Sequence, residues 1–376
     1  MRKSLVALAA AGLLATVSLT ACDDGADSGD DGTATTASGE KSSGEGGVGV
    51  ILPDTKSSQR WSTDDPRYLE RAFEAAKVPF KIRNAEGDRE QFKRIAEELL
   101  DDNIKVLLIA NLDSVSGKAV IDNAKRRGVS VIDYDRLTLN GGADYYVSFD
   151  NEQVGVLQGR GLTQCLAQKK AKTPVVAQLN GSLTDNNATL FKAGYDSVLQ
   201  PLYDSADYIK GPDQFVQDWD NDEGRAIFAQ MLKQFPNIKG VLAANDGLGN
   251  AAIEVLREKN LNGVVPVTGQ DATVQGLQNI LAGDQCMTVY KAVKKEADAA
   301  ANLAIELFKG VTPAVKDKIK DPESGAYVPF VSLAPEAITA KNVKRVVDDG
   351  FITKQSLCTK DFAQACRRAG IKDPAA

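Results

Sequence analysis

From Val48 onward the chain alternates short apolar runs with longer stretches in which apolar residues recur at helical spacing. Val48 to Leu52 predicts a first strand, followed by a helix around Tyr68, Phe73 and Ala76 and a strand near Phe80 to Arg83. Phe92, Ile95, Ala96 and Leu99 mark one face of an amphipathic helix. Lys105 to Ala110 predicts a buried strand, Ala119 to Arg127 a helix stopped by Gly128, and Val129 to Tyr134 another strand. Tyr146 to Phe149 is expected to leave this first lobe, and the rhythm then restarts. Pro174 to Leu179, Ile238 to Ala243 and Val264 to Thr268 predict strands, with helices at Leu190 to Leu199, Ala226 to Phe235 and Ala251 to Lys259. After Met287 to Tyr290, an Ala-rich helix at Ala297 to Phe308 is expected to return to the first lobe, and Val328 to Leu333 to the second. The class is α/β: two doubly wound, parallel-sheet (Rossmann-like) lobes joined by several crossing strands. The expected division is 48–149 plus 291–326 for the first lobe and 150–290 plus 327–376 for the second.

The residues ahead of Val48 follow different rules. Arg2 and Lys3 precede an apolar stretch from Leu5 to Leu19, and Leu19-Thr20-Ala21-Cys22 follows. This resembles a bacterial lipoprotein signal, with 1–21 removed and Cys22 lipidated. The apolar run is too short for a comfortable membrane span. Residues 22–47 are Asp, Gly, Ser, Thr, Ala and Glu without an aromatic residue, a composition that cannot bury enough apolar surface to order itself. Such a tether spans about 25 to 30 Å, so the expected location is extracytoplasmic, held to the outer face of the cell membrane through Cys22.

Composition narrows the chemistry. The 376 residues carry a net charge of −6 and no histidine. A Ser/His/Asp or Cys/His nucleophilic site, a zinc site with His ligands and a His proton shuttle are thereby excluded. No Lys/Arg block supports nucleic-acid binding; Lys169, Lys170 and Lys172 form only a brief cluster. Export would place Cys165, Cys286, Cys358 and Cys366 where disulfides persist. Four cysteines allow three connectivities. A local staple of Cys358 with Cys366 leaves Cys165 with Cys286 as the long-range bond. No Cys-x-x-Cys spacing favours a metal site, and neither metal nor cofactor is expected.

Six polar doublets remain: Asp135-Arg136, Asp185-Asn186, Trp219-Asp220, Asn245-Asp246, Gln270-Asp271 and Tyr290-Lys291. Most follow an apolar run, and in open α/β sheets the ligand crevice lies beyond the carboxyl ends of the strands. Asp135, Asp246 and Asp271 supply acceptors; Arg60, Arg136, Asn186, Asn245 and Lys291 supply donors, as a neutral, hydroxyl-rich ligand requires. Trp61 and Trp219, the only tryptophans, stand among polar neighbours, where an indole face can cover the C–H face of a pyranose. Singly, each doublet has a plainer use. Asp246-Gly247 suits a turn, Asp185-Asn186-Asn187 a helix cap and Arg136 a surface ion pair.

Six segments, taken in order, resemble the D-xylose-binding proteins of bacterial ABC sugar importers, a branch of the ribose-binding-type periplasmic sugar-binding proteins. They are Val-Ile-Asp-Tyr-Asp-Arg (131–136), Tyr-Val-Ser-Phe-Asp-Asn-Glu-Gln-Val-Gly (146–155), Asp-Asn-Asn-Ala-Thr-Leu-Phe-Lys-Ala-Gly (185–194), Ala-Asn-Asp (244–246), Thr-Gly-Gln-Asp-Ala (268–272) and Met-Thr-Val-Tyr-Lys (287–291). The likeness runs from about Val48 to about Ser356. It implies a type I periplasmic binding protein fold whose lobes close by a hinge on a monosaccharide, D-xylose foremost or glucose or a related aldopyranose. It also implies a monomer that delivers its cargo to an ABC permease. Arg60, Trp61, Asp135, Arg136, Asn186, Trp219, Asn245, Asp246, Asp271 and Lys291 match the ligand-contacting motifs. Two segments depart from the pattern: an extra Ser-rich stretch at Pro53 to Gln59, and Gly247-Leu248-Gly249-Asn250 in place of a small-residue run. A co-receptor presenting the loaded form to a signalling protein shares these features. A repressor of the lactose type would need a helix-turn-helix ahead of the fold. A glycosidase would need two carboxylates at catalytic separation, for which Asp135 and Asp271 are available.

Overall fold

The computed structural model describes residues 46–371; Cys22 and nearly all of the tether lie outside them. In chain order the elements are β1 (Val48–Leu52), α1 (Arg60–Ala76), β2 (Phe80–Asn84), α2 (Arg89–Asp101), β3 (Val106–Ile109), α3 (Ser114–Arg126), β4 (Ser130–Tyr134) and β5 (Tyr145–Phe149). There follow α4 (Asn151–Gln168), β6 (Val175–Asn180), α5 (Asn186–Asp204), β7 (Ile209–Phe215), α6 (Asn221–Gln234), β8 (Ile238–Ala243), α7 (Asp246–Glu258), α8 (Val274–Ala282), β9 (Thr288–Tyr290) and α9 (Val293–Phe308). The last are β10 (Lys318–Lys320), β11 (Tyr327–Leu333), β12 (Glu336–Ile338) and the short helices α10 (Lys344–Asp348), α11 (Lys354–Leu357) and α12 (Ala363–Arg368).

The first sheet runs β10-β11-β5-β4-β3-β1-β2 and is parallel except for the β10–β11 hairpin. Its central strands are buried on both faces, which is why Val48–Leu52 and Val106–Ile109 read as unbroken apolar runs. The helices divide its core: α1 and α9 cover one face, with Leu69, Phe73, Ala297 and Ala300, while α2 and α3 supply Phe92, Leu99 and Ile121 to the other. The second sheet is β7-β6-β8, and an irregular strand around Val267 bridges β8. Residues 269 and 271 in turn bond Val289 of β9, which pairs antiparallel with β12. The stretch 264–268 therefore makes only a bridge where a full strand was expected. Pro266 has no N–H to give, and only its carbonyl is used, by Val241.

One lobe boundary is corrected by the sheet itself. Residues from 327 were expected to belong to the second lobe, but Phe330 to Leu333 of β11 pair in parallel register with Tyr146 to Phe149 of β5. Phe330 stacks on Tyr146 with ring centroids 4.8 Å apart. The third crossing thus falls after Leu333, and β12 is the first element beyond it in the second lobe. The tail is better anchored than its sequence suggests: Val346, Ile352, Leu357, Cys366 and Ile371 pack with Leu277 and Ile280 of α8 and with Ile338. Both expected disulfides, Cys165–Cys286 and Cys358–Cys366, are present. Among the described residues, no helix is long and apolar enough to cross a membrane.

Candidate ligand site between the lobes

The loops beyond the strand ends converge on one cavity between the lobes, partly open to solvent. Ser57, Ser58, Arg60, Trp61, Asp135 and Arg136 line it from the first lobe; Asp185, Asn187, Phe191, Trp219, Asn245, Gln270 and Asp271 line it from the second, and Lys291 enters from the crossing after β9. Three wall residues hold left-handed backbone: Asp135 at φ 63°, Trp219 at φ 57° and Asp271 at φ 102°. A non-glycine residue persists there only when its surroundings over-determine it, and such outliers gather at functional sites.

Asp135 is the hub. Its Oδ2 accepts from Arg60 Nη1 at 2.8 Å and Lys291 Nζ at 3.2 Å, and its Oδ1 from Asn187 Nδ2 at 3.0 Å. The backbone carbonyl accepts from Tyr146, Ser148 and Asn187, which fixes the strained turn. Burial alone would raise this carboxyl, but Lys291, Arg60 and Arg136 outweigh it and hold it well below the usual carboxylate range.

Arg60 is nearly saturated by protein. Asp65 takes Nε at 2.8 Å and Nη2 at 2.6 Å, Glu296 takes Nη2 at 2.6 Å, and Asp135 takes Nη1. Four of the five guanidinium N–H groups are thereby engaged, leaving one. Its plane also lies over Trp61, 4.3 Å from the ring centroid. Lys291 keeps two donors beyond its bond to Asp135. Burial pulls its ammonium down, but Asp135 and then Asp271 more than compensate, so it stays charged.

On the opposite wall Asp185 caps α5 through Asn187 N and holds Trp219 Nε1 at 3.2 Å. Arg136 Nε approaches the same Asp185 oxygen at 3.2 Å from the other lobe. Asn245 caps α7, accepting from Leu248 N, while its amide nitrogen meets the carbonyl of Ser57 at 3.4 Å. Gln270 Oε1 is buried without a hydrogen-bond partner. Unsatisfied buried groups of this kind are costly, and a polar ligand would satisfy them.

Of the ten residues expected from sequence, the cavity wall holds Arg60, Trp61, Asp135, Arg136, Trp219, Asn245, Asp271 and Lys291. Two are placed elsewhere. Asn186 is the first residue of α5 and half-exposed, and its neighbours Asp185 and Asn187 face the cavity instead. Asp246 is fully buried beneath the α7 terminus. It accepts from Thr273 N, Thr273 Oγ1, Gln285 Nε2 and Thr288 Oγ1, tying α7, α8 and β9 together. Asp185 and Gln270 stood in the doublets although only their partners were assigned. Ser57, Ser58 and Phe191 gave no such signal. Among the described residues no group of three or more Asp, Glu, Cys or His side chains is placed to hold a metal ion.

Residues 48–312 match the family model described as a periplasmic binding protein domain. The chain is 34% identical over 312 residues to the D-xylose-binding periplasmic protein of Haemophilus influenzae, covering 82% of this chain and 91% of that one. It is 36% identical over 323 residues to the multiple sugar-binding periplasmic protein SbpA of Azospirillum brasilense, covering 82% and 90%. Among solved structures, an ABC transporter solute-binding protein from Clostridium phytofermentans with bound β-D-glucose superimposes with a TM-score of 0.76 at 26% identity, covering 82% of this chain and 99% of that one. A carbohydrate transporter solute-binding protein from Chloroflexus aurantiacus in complex with D-glucose gives 0.75 at 26%, covering 82% and 97%.

Proposed function

This chain belongs to the periplasmic binding protein family, whose members are solute-binding receptors and not enzymes, and from that premise we propose that its cleft captures one neutral aldopyranose, D-xylose foremost. The observation that carries this reading is the charge balance of the wall. Each cation of the wall is already paired within the protein: Arg60 with Asp65, Glu296 and Asp135, Lys291 with Asp135, and Arg136 with Asp185. A charged ligand would upset that pairing in a buried site. A polyol offers donors and acceptors in equal measure. It would meet the remaining Arg60 and Lys291 N–H groups and the unpaired Gln270 oxygen, with two indoles and Phe191 for its apolar face.

Both lobes contribute, so a bound sugar favours the closed form by its differential affinity, and closure is a hinge at the three crossings. The closed receptor delivers its sugar to an ABC permease, acts as a monomer and is held at the membrane by lipid on Cys22. The relatives named for xylose and the neighbours holding glucose support a monosaccharide of this size.

The test is the thermal midpoint of the chain from Gly47 onward with D-xylose, D-glucose, L-arabinose, D-ribose or myo-inositol. At about 100 times its dissociation constant a ligand adds roughly 2.7 kcal/mol. A rise with one or two aldopyranoses identifies the cargo, and no rise with any of them rejects the ligand class.

A further inference from the structure

The Ser-rich stretch between β1 and α1 reaches across the cleft. Asp54 organises it: Oδ1 accepts from Lys56 N at 2.8 Å and Ser57 N at 2.6 Å, and Oδ2 accepts from Ser57 Oγ at 2.7 Å. This is an Asx turn, in which a short side chain replaces a backbone partner and fixes the following residues. Two contacts with the opposite lobe result. Ser58 Oγ donates to Asp271 Oδ2 at 3.0 Å, and the carbonyl of Ser57 accepts from Asn245 Nδ2 at 3.4 Å. Asp271 and Asn245 both line the cavity, as do Ser57 and Ser58.

We infer that the Asp54–Ser58 turn is a latch: Ser58 is a positioning residue that orients Asp271 for the sugar and holds the lobes together once they have closed. The inference rests on the sugar-receptor reading above. Asp271 holds left-handed backbone at φ 102°, and its Oδ2 takes a hydrogen bond from Ser58 of the other lobe. That hydroxyl is in reach only when the cleft is shut. The latch therefore acts on release and not on capture. It also fixes which Asp271 oxygen faces the ligand, because Oδ2 is already engaged.

Stopped-flow tryptophan fluorescence with D-xylose and D-glucose separates the two rates. Ser58→Ala is expected to raise the dissociation rate about tenfold, as the loss of a hydrogen bond to a charged group would, with the association rate within about twofold. Ser58→Thr retains the hydroxyl and restores slow release. Asp54→Ala, which touches no ligand, gives the same fast release, and combining it with Ser58→Ala adds little, since both remove one device. An unchanged dissociation rate in Ser58→Ala and Asp54→Ala, with the wild-type chain binding either sugar, overturns the latch alone. Failure of the wild-type chain to bind both sugars overturns the receptor reading and the latch with it.

Discussion

Gly181 and Trp219 fit together so closely that a Cβ on Gly181 would stand 2.1 Å from the indole ring. The glycine opens the loop after β6, and the tryptophan occupies the space a side chain would need. Trp219 is fixed further by Asp185 at Nε1 and by an edge contact with Phe191 at 6.3 Å.

Gly181→Ala should therefore displace the indole and not merely crowd it. The expected result is at least a tenfold weaker sugar affinity, on the order of the 1.4 kcal/mol that one decade represents, with a changed Trp emission spectrum in the unliganded protein. Calorimetric titration and fluorescence check the two parts.

Asp135→Asn tests the hub. Removing one charge from a buried network leaves its partners uncompensated, at a cost of about 3 to 5 kcal/mol. A clearly lower urea midpoint is expected, together with loss of sugar binding. The depressed acidity of Asp135 sets a sign as well. A carboxyl lowered in the folded state stabilises above its unfolded pKa, and that stability is lost as pH falls through the folded value. The Asp135→Asn variant should lose less stability on acidification than the wild-type chain.

Asp133 points the other way. It is fully buried, accepts from Thr138 N and Oγ1 at 2.7 Å, and burial pushes it up to about 7. The folded form then holds a proton that the unfolded chain gives up in the ordinary carboxylate range, so this group's contribution declines as pH rises from there toward about 7. Asp133→Asn mimics the protonated acid. Relative to wild type, its thermal midpoint should improve between pH 5 and pH 8, read by calorimetry at both values.

Cys358 and Cys366 close a loop with a sequence separation of 8. Chain entropy gives such a short loop roughly 2 to 3 kcal/mol. Changing both to Ser should lower the thermal midpoint and free the tail from α8, seen as faster amide exchange in 344–371, while leaving sugar affinity nearly unchanged.

How much of this was legible depended on what each segment buries. The central strands of the first sheet, β1, β3, β4 and β5, were legible because both of their faces are buried. β7 was not, since Ile209–Phe215 is an edge strand carrying Gly211 and Pro212, and none of its residues is buried. α4 gave no amphipathic signal because its buried face is Gly155, Gln158 and Gly159 beside Val154 and Leu162. It lies against α5 so tightly that a Cβ on Gly155 would meet the Phe191 carbonyl at 1.9 Å. The doublets pointed to the cavity because strand ends deliver polar residues there. Their phase could not be read, since one residue of helix rotation separates Asn187 on the wall from Asn186 beside it. Asp246 was misplaced for the same reason: Asn245 is the cap, and the next residue turns inward.

Under the proposed function the two lobes together bind one neutral sugar. Isothermal titration of D-xylose into the wild-type chain and into Asp271→Ala, at low and at high salt, tests it most directly. The predicted result is one saturable site in the wild type whose affinity is nearly independent of salt, as a neutral ligand requires, and no measurable heat in Asp271→Ala. Equal binding by both proteins, or an affinity that falls steeply with salt, would contradict it.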